Sequence, residues 1–226
     1  MMKNVLRGLT PLALILSPLA VPSPALLSPA LAANVVLLPD ALADIPEATE
    51  DPEGYRMSAF PHWNEGRDLA DGCDTRAEVL LEEAVDAPTT GSGCVLTGGR
   101  WTSYYDGQNV TDSASLRVDH VVSLDEAWES GASGWTAARR ERYANDLGAR
   151  GTLVAVTARS QKDKAGRDPA DWLPSESAQY CRYVTDWVST KLRWGLSADK
   201  EEMDALKLLA DGPCEETVVV RSKAPQ

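Results

Sequence analysis

The chain has 226 residues and a formal charge of −12, from 34 acidic and 22 basic side chains, with two histidines and four cysteines. That length suits one domain with its own core. The acidic balance excludes broad adhesion to nucleic acid, which needs clustered Lys and Arg, although it leaves room for a small basic groove at one site.

Residues 1–32 read as an export signal. Lys3 and Arg7 give a positive start, residues 9–16 are mainly apolar, and Ala30-Leu31-Ala32 supplies small residues for a cut before Ala33. Pro11, Pro18, Pro22, Pro24 and Pro29 argue against a retained membrane helix, which needs about 20 uninterrupted apolar residues. The expectation is a secreted, extracellular protein without stable membrane association. Loss of residues 1–32 removes two cations and no acids, taking the charge from −12 to −14. Residues 33–54, rich in Ala, Pro, Asp and Glu without an apolar period, read as a linker or disordered arm. Residues 55–215 then form the folded domain, and 216–226 a C-terminal tail whose apolar run at 218–220 is an edge strand or disordered.

Within the domain, Thr75-Arg76-Ala77-Glu78 is a capping-box pattern opening a short helix. Residues 95–105, with Trp101, Tyr104 and Tyr105 between glycine-rich turns, read as strand or hairpin. A β-like run, Leu116-Arg117-Val118-Asp119-His120, leads into a second capping box, Ser123 to Glu126. Glu126 is assigned to that cap. Thr136 starts another helix, rich in Arg139, Arg140 and Arg142, which reads as a solvated face with a secondary role toward phosphate. Residues 152–157 are the best strand pattern in the chain. A polar segment, 160–167, follows, and Asp168-Pro169 looks like an N-cap and first helical residue. Ser175 is expected to cap a long helix ending at Gly195, and Ser197 the last helix. The helically spaced Trp and Tyr residues there belong to the core. His62, between Pro61 and Trp63, is assigned to packing rather than to a second catalytic base.

Cys73, Cys94, Cys181 and Cys214 show no CxxC spacing, so in an exported chain they point to two disulfides rather than to zinc. Cys73–Cys94 and Cys181–Cys214 are favoured among the three pairings, because each closes a local segment around one helix.

Asp119-His120 carries the chemistry. A carboxylate can hold a divalent ion while the next imidazole takes a proton from water. Neighbouring side chains of a strand point to opposite faces, so the pair serves one site only where the strand ends or bends.

The ordered set of Gly72-Cys73-Asp74-Thr75-Arg76, residues 119–128, Tyr143-Ala144-Asn145-Asp146-Leu147, residues 153–157 and residues 168–174 resembles the HNH endonuclease superfamily. The branch is the one that forms the C-terminal part of GmrSD-type restriction enzymes and also occurs as small exported actinobacterial proteins. The resemblance implies an α+β protein: a small ββα-metal core with an inserted helical segment, surrounded by several helices. It implies His120 as general base, Asn145 orienting its ring, and Asp119 with Gln161 holding Mg²⁺ or Mn²⁺. Lys164 would contact phosphate, with Arg117 and Lys162 beside it. Where the family has Asn, this chain has Gln161, and the family's Gly-Asp is Ala165-Gly166. The function implied is a secreted, monomeric, metal-dependent endonuclease acting on nucleic acid, DNA rather than RNA. The alternatives are a degenerate HNH-fold binding or structural protein without catalysis, and a hydrolase of small phosphoesters.

Overall fold

The computed structural model describes residues 34–225. The expected signal segment lies outside them. Among the described residues the architecture is α+β: seven α-helices around four small two-stranded antiparallel sheets.

The centre is the pair β6 (Leu116–His120) and β7 (Leu153–Thr157), followed at once by α5 (Ala158–Lys164). Their antiparallel register sets Asp119 opposite Val154 and His120 opposite Leu153. Val154, Ala155 and Val156 are all buried, as the β-branched run predicts. Thr157 ends the strand and caps α5 by accepting from Ser160 N. Between the strands the chain inserts α3 (Leu124–Glu129) and α4 (Ala137–Ala144). This is the strand–insertion–strand–helix order expected from the sequence.

Before the central pair come β1 (Asn34–Leu37), α1 (Leu38–Leu42), α2 (Thr75–Glu82), and two minimal hairpins. These pair β2 (Thr89–Thr90) with β3 (Leu96–Thr97), and β4 (Trp101–Thr102) with β5 (Asn109–Val110). After it come α6 (Tyr180–Trp194), α7 (Lys200–Ala210) and β8 (Val218–Arg221). Of the stripe expected on α6, Tyr180, in the first turn, is only partly buried, while Tyr183, Val184, Trp187, Val188 and Trp194 are all at 0% exposure. Each such side chain contributes roughly 2 kcal/mol of apolar transfer. Gly195 ends α6 in the left-handed region, φ 68°, which a side chain would resist.

Residues 34–54, expected with residue 33 as a linker or disordered arm, are ordered. β1 pairs with β8, Val35 facing Val220 and Leu37 facing Val218, and Leu38, Ala41, Leu42 and Ile45 are buried in the main core. Further along, Ala48 N donates to Ala198 O at 2.9 Å. A four-residue strand has no local signature, and its partner lies at the opposite end of the chain. That partner also makes the 218–220 run an ordered strand.

Several helix starts shift from their expected residues. Asp74, not Thr75, caps α2 by accepting from Ala77 N; Asp199, not Ser197, caps α7; and α6 begins at Tyr180 after a 3₁₀ turn. Asp168 caps no helix: its Oδ1 accepts from Ala170 N and Asp171 N in a turn. Glu126 leaves its cap for the interior, where it accepts from the buried ammonium of Lys191 at 2.7 Å. Both disulfides, Cys73–Cys94 and Cys181–Cys214, are formed as expected.

Candidate active site

β6 ends at His120, and there its last two side chains come to one cleft. The cleft encloses about 340 Å³ and is lined by His62, Trp63, Asp119, His120, Asp125 and Gln161, among others.

Asp119 is held by three donors. Its Oδ2 accepts from Tyr105 Oη at 2.8 Å and faces Lys164 Nζ at 3.5 Å, while Oδ1 accepts from Gln161 Nε2 at 3.1 Å. Gln161 and Lys164 are three residues apart on α5, so they share a helix face and reach the same carboxylate. Sequence reasoning missed Tyr105; its aromatic run signalled only a strand.

Lys164 is not a phosphate contact. Its side chain is at 0% exposure and its ammonium donates to His120 O at 3.3 Å besides facing Asp119. A buried cation persists only with such partners. Lys162 points outward into a separate groove of about 480 Å³ with Arg159, Asp163 and Trp172. Arg117 is exposed and donates to Ala114 O and Leu116 O. Neither cation lines the Asp119–His120 cleft.

His120 is buried between two aromatic rings. Trp63 stacks on it at 5.6 Å and Tyr143 at 6.0 Å, each with an 18° interplanar angle. Its Nε2 lies 2.9 Å from Ala144 O. A carbonyl only accepts, so Nε2 carries the proton and Nδ1 keeps its lone pair. The carbonyl is available because Ala144 is the last residue of α4, where intrahelical donors run out. Burial pushes the His120 pKa down to about 4, against the upward pull of the Ala144 bond and of Asp119. The ring is therefore uncharged throughout the neutral range.

The expected orienting role of Asn145 passes to its neighbour's carbonyl. Asn145 instead accepts from Asn64 N at 2.9 Å and Thr75 Oγ1 at 3.1 Å, and donates to Pro61 O and Glu141 O. It ties the end of α4 to the segment carrying His62 and Trp63, so its influence on His120 is indirect. The arginines of α4 also serve structure: Arg139 donates to Trp194 O and Arg140 to Ala59 O and Trp135 O.

Two further groups were outside the sequence-derived set. His62 Nδ1 donates to Phe60 O at 2.7 Å, which leaves Nε2 as its unengaged nitrogen, and its ring is centred 6.1 Å from that of His120. Asp125, in the first turn of α3, also lines the cleft. A Cβ placed on Gly166 would lie 2.0 Å from Asp125 Oδ2, so the missing side chain at 166 leaves that space to the Asp125 carboxylate.

The donor set suits a hard divalent ion. Asp119 retains lone pairs beyond its three donors, and Gln161, donating through Nε2, has its amide oxygen left over. Asp125 brings a second carboxylate, and oxygen donors of this kind favour Mg²⁺ or Mn²⁺. The preformed acidic triads among the described residues lie elsewhere, around Glu50. An ion here would be completed by water and substrate oxygens.

Residues 74–207 match the family described as GmrSD restriction endonucleases, C-terminal domain. The chain is also 35% identical over 202 residues, 89% of this chain and 93% of the relative, to an uncharacterized secreted protein of Arthroderma benhamiae. No solved structure matches the chain.

Proposed function

Because the chain belongs to the family of the C-terminal domain of GmrSD restriction endonucleases, we propose that it is a secreted, divalent-metal-dependent endonuclease that hydrolyses phosphodiesters of nucleic acid, DNA rather than RNA. The secreted relative and the two disulfides support an extracellular setting.

The observation that carries the reading is the state of His120: its Nε2 is committed to Ala144 O, and Nδ1 is left bare beside Asp119 at the end of a ββα unit. In use, His120 Nδ1 accepts a proton from the attacking water. The incoming phosphate's negative charge raises the basicity of a ring that is otherwise weakly basic. Trp63 and Tyr143 hold the imidazole plane and limit water around it. Asp119 and Gln161, with Asp125, would hold the ion, which when bound supplies charge neutralisation at the phosphate. Tyr105 and Lys164 fix Asp119 in position.

A plasmid-nicking assay with Mg²⁺, Mn²⁺ and EDTA tests this. Wild type should nick plasmid with metal and stop with EDTA, and His120→Ala should lose at least about 100-fold, the usual worth of general base catalysis. Absence of metal-dependent cleavage by pure wild type would refute the nuclease. One observation favours the second reading, a non-catalytic binding protein on the HNH scaffold. The Lys164 ammonium beside Asp119 already supplies positive charge where an ion would sit. On that reading neither ion changes the protein's melting temperature.

A further inference from the structure

We propose that His62 is the general acid of the same site: it protonates the leaving oxygen while His120 deprotonates the attacking water. This rests on the nuclease reading above and deepens it.

The two imidazoles line one cleft and are anchored to backbone carbonyls through opposite nitrogens. His120 gives its Nε2 proton to Ala144 O and keeps Nδ1 bare, whereas His62 gives its Nδ1 proton to Phe60 O at 2.7 Å and keeps Nε2 for the cleft. Their ring centroids are 6.1 Å apart at an interplanar angle of 83°, with Trp63 stacked on one ring and edge-on to the other at 5.0 Å. Their surroundings differ in the direction that separates a base from an acid. His120 is 6% exposed, while His62 is only half-buried, so its Nε2 stays open to solvent. His62 is also anchored to the catalytic core: Asn145 binds Pro61 O and Asn64 N on either side of it. It lies before the family match, which begins at residue 74.

The step balances. Water oxygen attacks phosphorus and its proton passes to His120 Nδ1. His62 enters the step as imidazolium, its Nδ1–H on Phe60 O and a second proton on Nε2 taken from solvent. The phosphorus–oxygen bond to the leaving group breaks, its electron pair goes to that oxygen, and the Nε2 proton follows. Solvent then restores both rings, with no oxidant or reductant involved.

The test compares two substrates under the same Mn²⁺ conditions: plasmid DNA, whose leaving alkoxide needs a proton, and bis(p-nitrophenyl) phosphate, whose phenolate leaves without one. His62→Gln should slow plasmid cleavage by about 100-fold, and should slow the aryl ester so much less that the ratio of the two rates shifts more than tenfold. His62→Asn, which can keep the bond to Phe60 O, should show the same split, and both variants should melt within a few degrees of wild type. Equal losses on both substrates, or no loss on either, would overturn the general acid. So would a split that disappears at saturating Mn²⁺, which would mark His62 as a metal ligand. Wild type inactive on both substrates would overturn the nuclease reading itself, and the acid with it.

Discussion

Asp119 shows how a single carboxylate can be overdetermined. Tyr105, Gln161 and the buried Lys164 all converge on it, from the segment after β4 and from α5. Removing one partner of a buried charge pair leaves the other uncompensated. Lys164→Met should therefore fold but lose about 3 kcal/mol in urea unfolding; a loss below about 1 kcal/mol would show that the pair contributes no more than a surface one. Asp125 and Gly166 are coupled through space rather than by a bond, since any side chain at 166 meets the Asp125 carboxylate. Gly166→Ala should weaken Mn²⁺ binding in the wild-type background and have little effect once Asp125 is Ala. A double-mutant cycle measures this, and additive effects would mean that Asp125 takes no part in the site.

At the level of elements, the ββα unit is assembled locally and held by distant clamps. α5 begins at the residue after β7, so Gln161 and Lys164 reach β6 without any intervening loop. His120, by contrast, depends on the C-terminal end of α4, and α4 depends on Asn145 to grip the 61–75 segment. Asn145→Ala removes hydrogen bonds to four different groups. It should cost about 2 kcal/mol and open the segment before Cys73 to limited proteolysis, read by the time course of cleavage at Arg67. The Cys181–Cys214 bond ties the first turn of α6 to the residues after α7. Replacing both cysteines by Ser should lower stability by about 3 kcal/mol on chain-entropy grounds, measured by denaturant unfolding.

Across the whole molecule, burial has displaced several titrations into the neutral range. Glu83 is raised to about 7 chiefly by burial, as is Asp186 to about 6; Glu50 is raised to about 8 by burial and the carboxylates around it. A folded-state pKa above the unfolded value means the folded protein binds the extra proton, so stability is present at low pH and lost as pH rises through the folded value. His120, lowered to about 4, acts oppositely: stability rises with pH between about 4 and the ordinary imidazole value of 6.5. The two effects oppose each other below pH 6.5, and above it the carboxyls act alone. The urea midpoint should thus fall between pH 6.5 and pH 8. Glu83→Gln, which keeps an oxygen for the bond from Ala155 N, should flatten that fall. An unchanged slope would mean that Glu83 ionises normally in the fold.

The sequence by itself determined what periodicity and adjacency can encode. Alternating and β-branched residues marked β6 and β7, the spaced Tyr, Val and Trp residues marked α6, the turn after His120 brought two neighbours to one cleft, and local spacing favoured, among three cysteine pairings, the one that forms. Tertiary structure alone decided what depends on residues far apart in the chain. β1 is a strand only because β8 is there to pair with it, and Lys164 is a buried counter-charge only because β6 and α6 close over it. Asn145 is a clamp because Pro61, Asn64 and Thr75 come within reach. His62 enters the cleft because that clamp holds its segment against α4. A hydrogen bond between residues 80 apart leaves no periodic trace in either one's neighbours; it exists only once the core has formed.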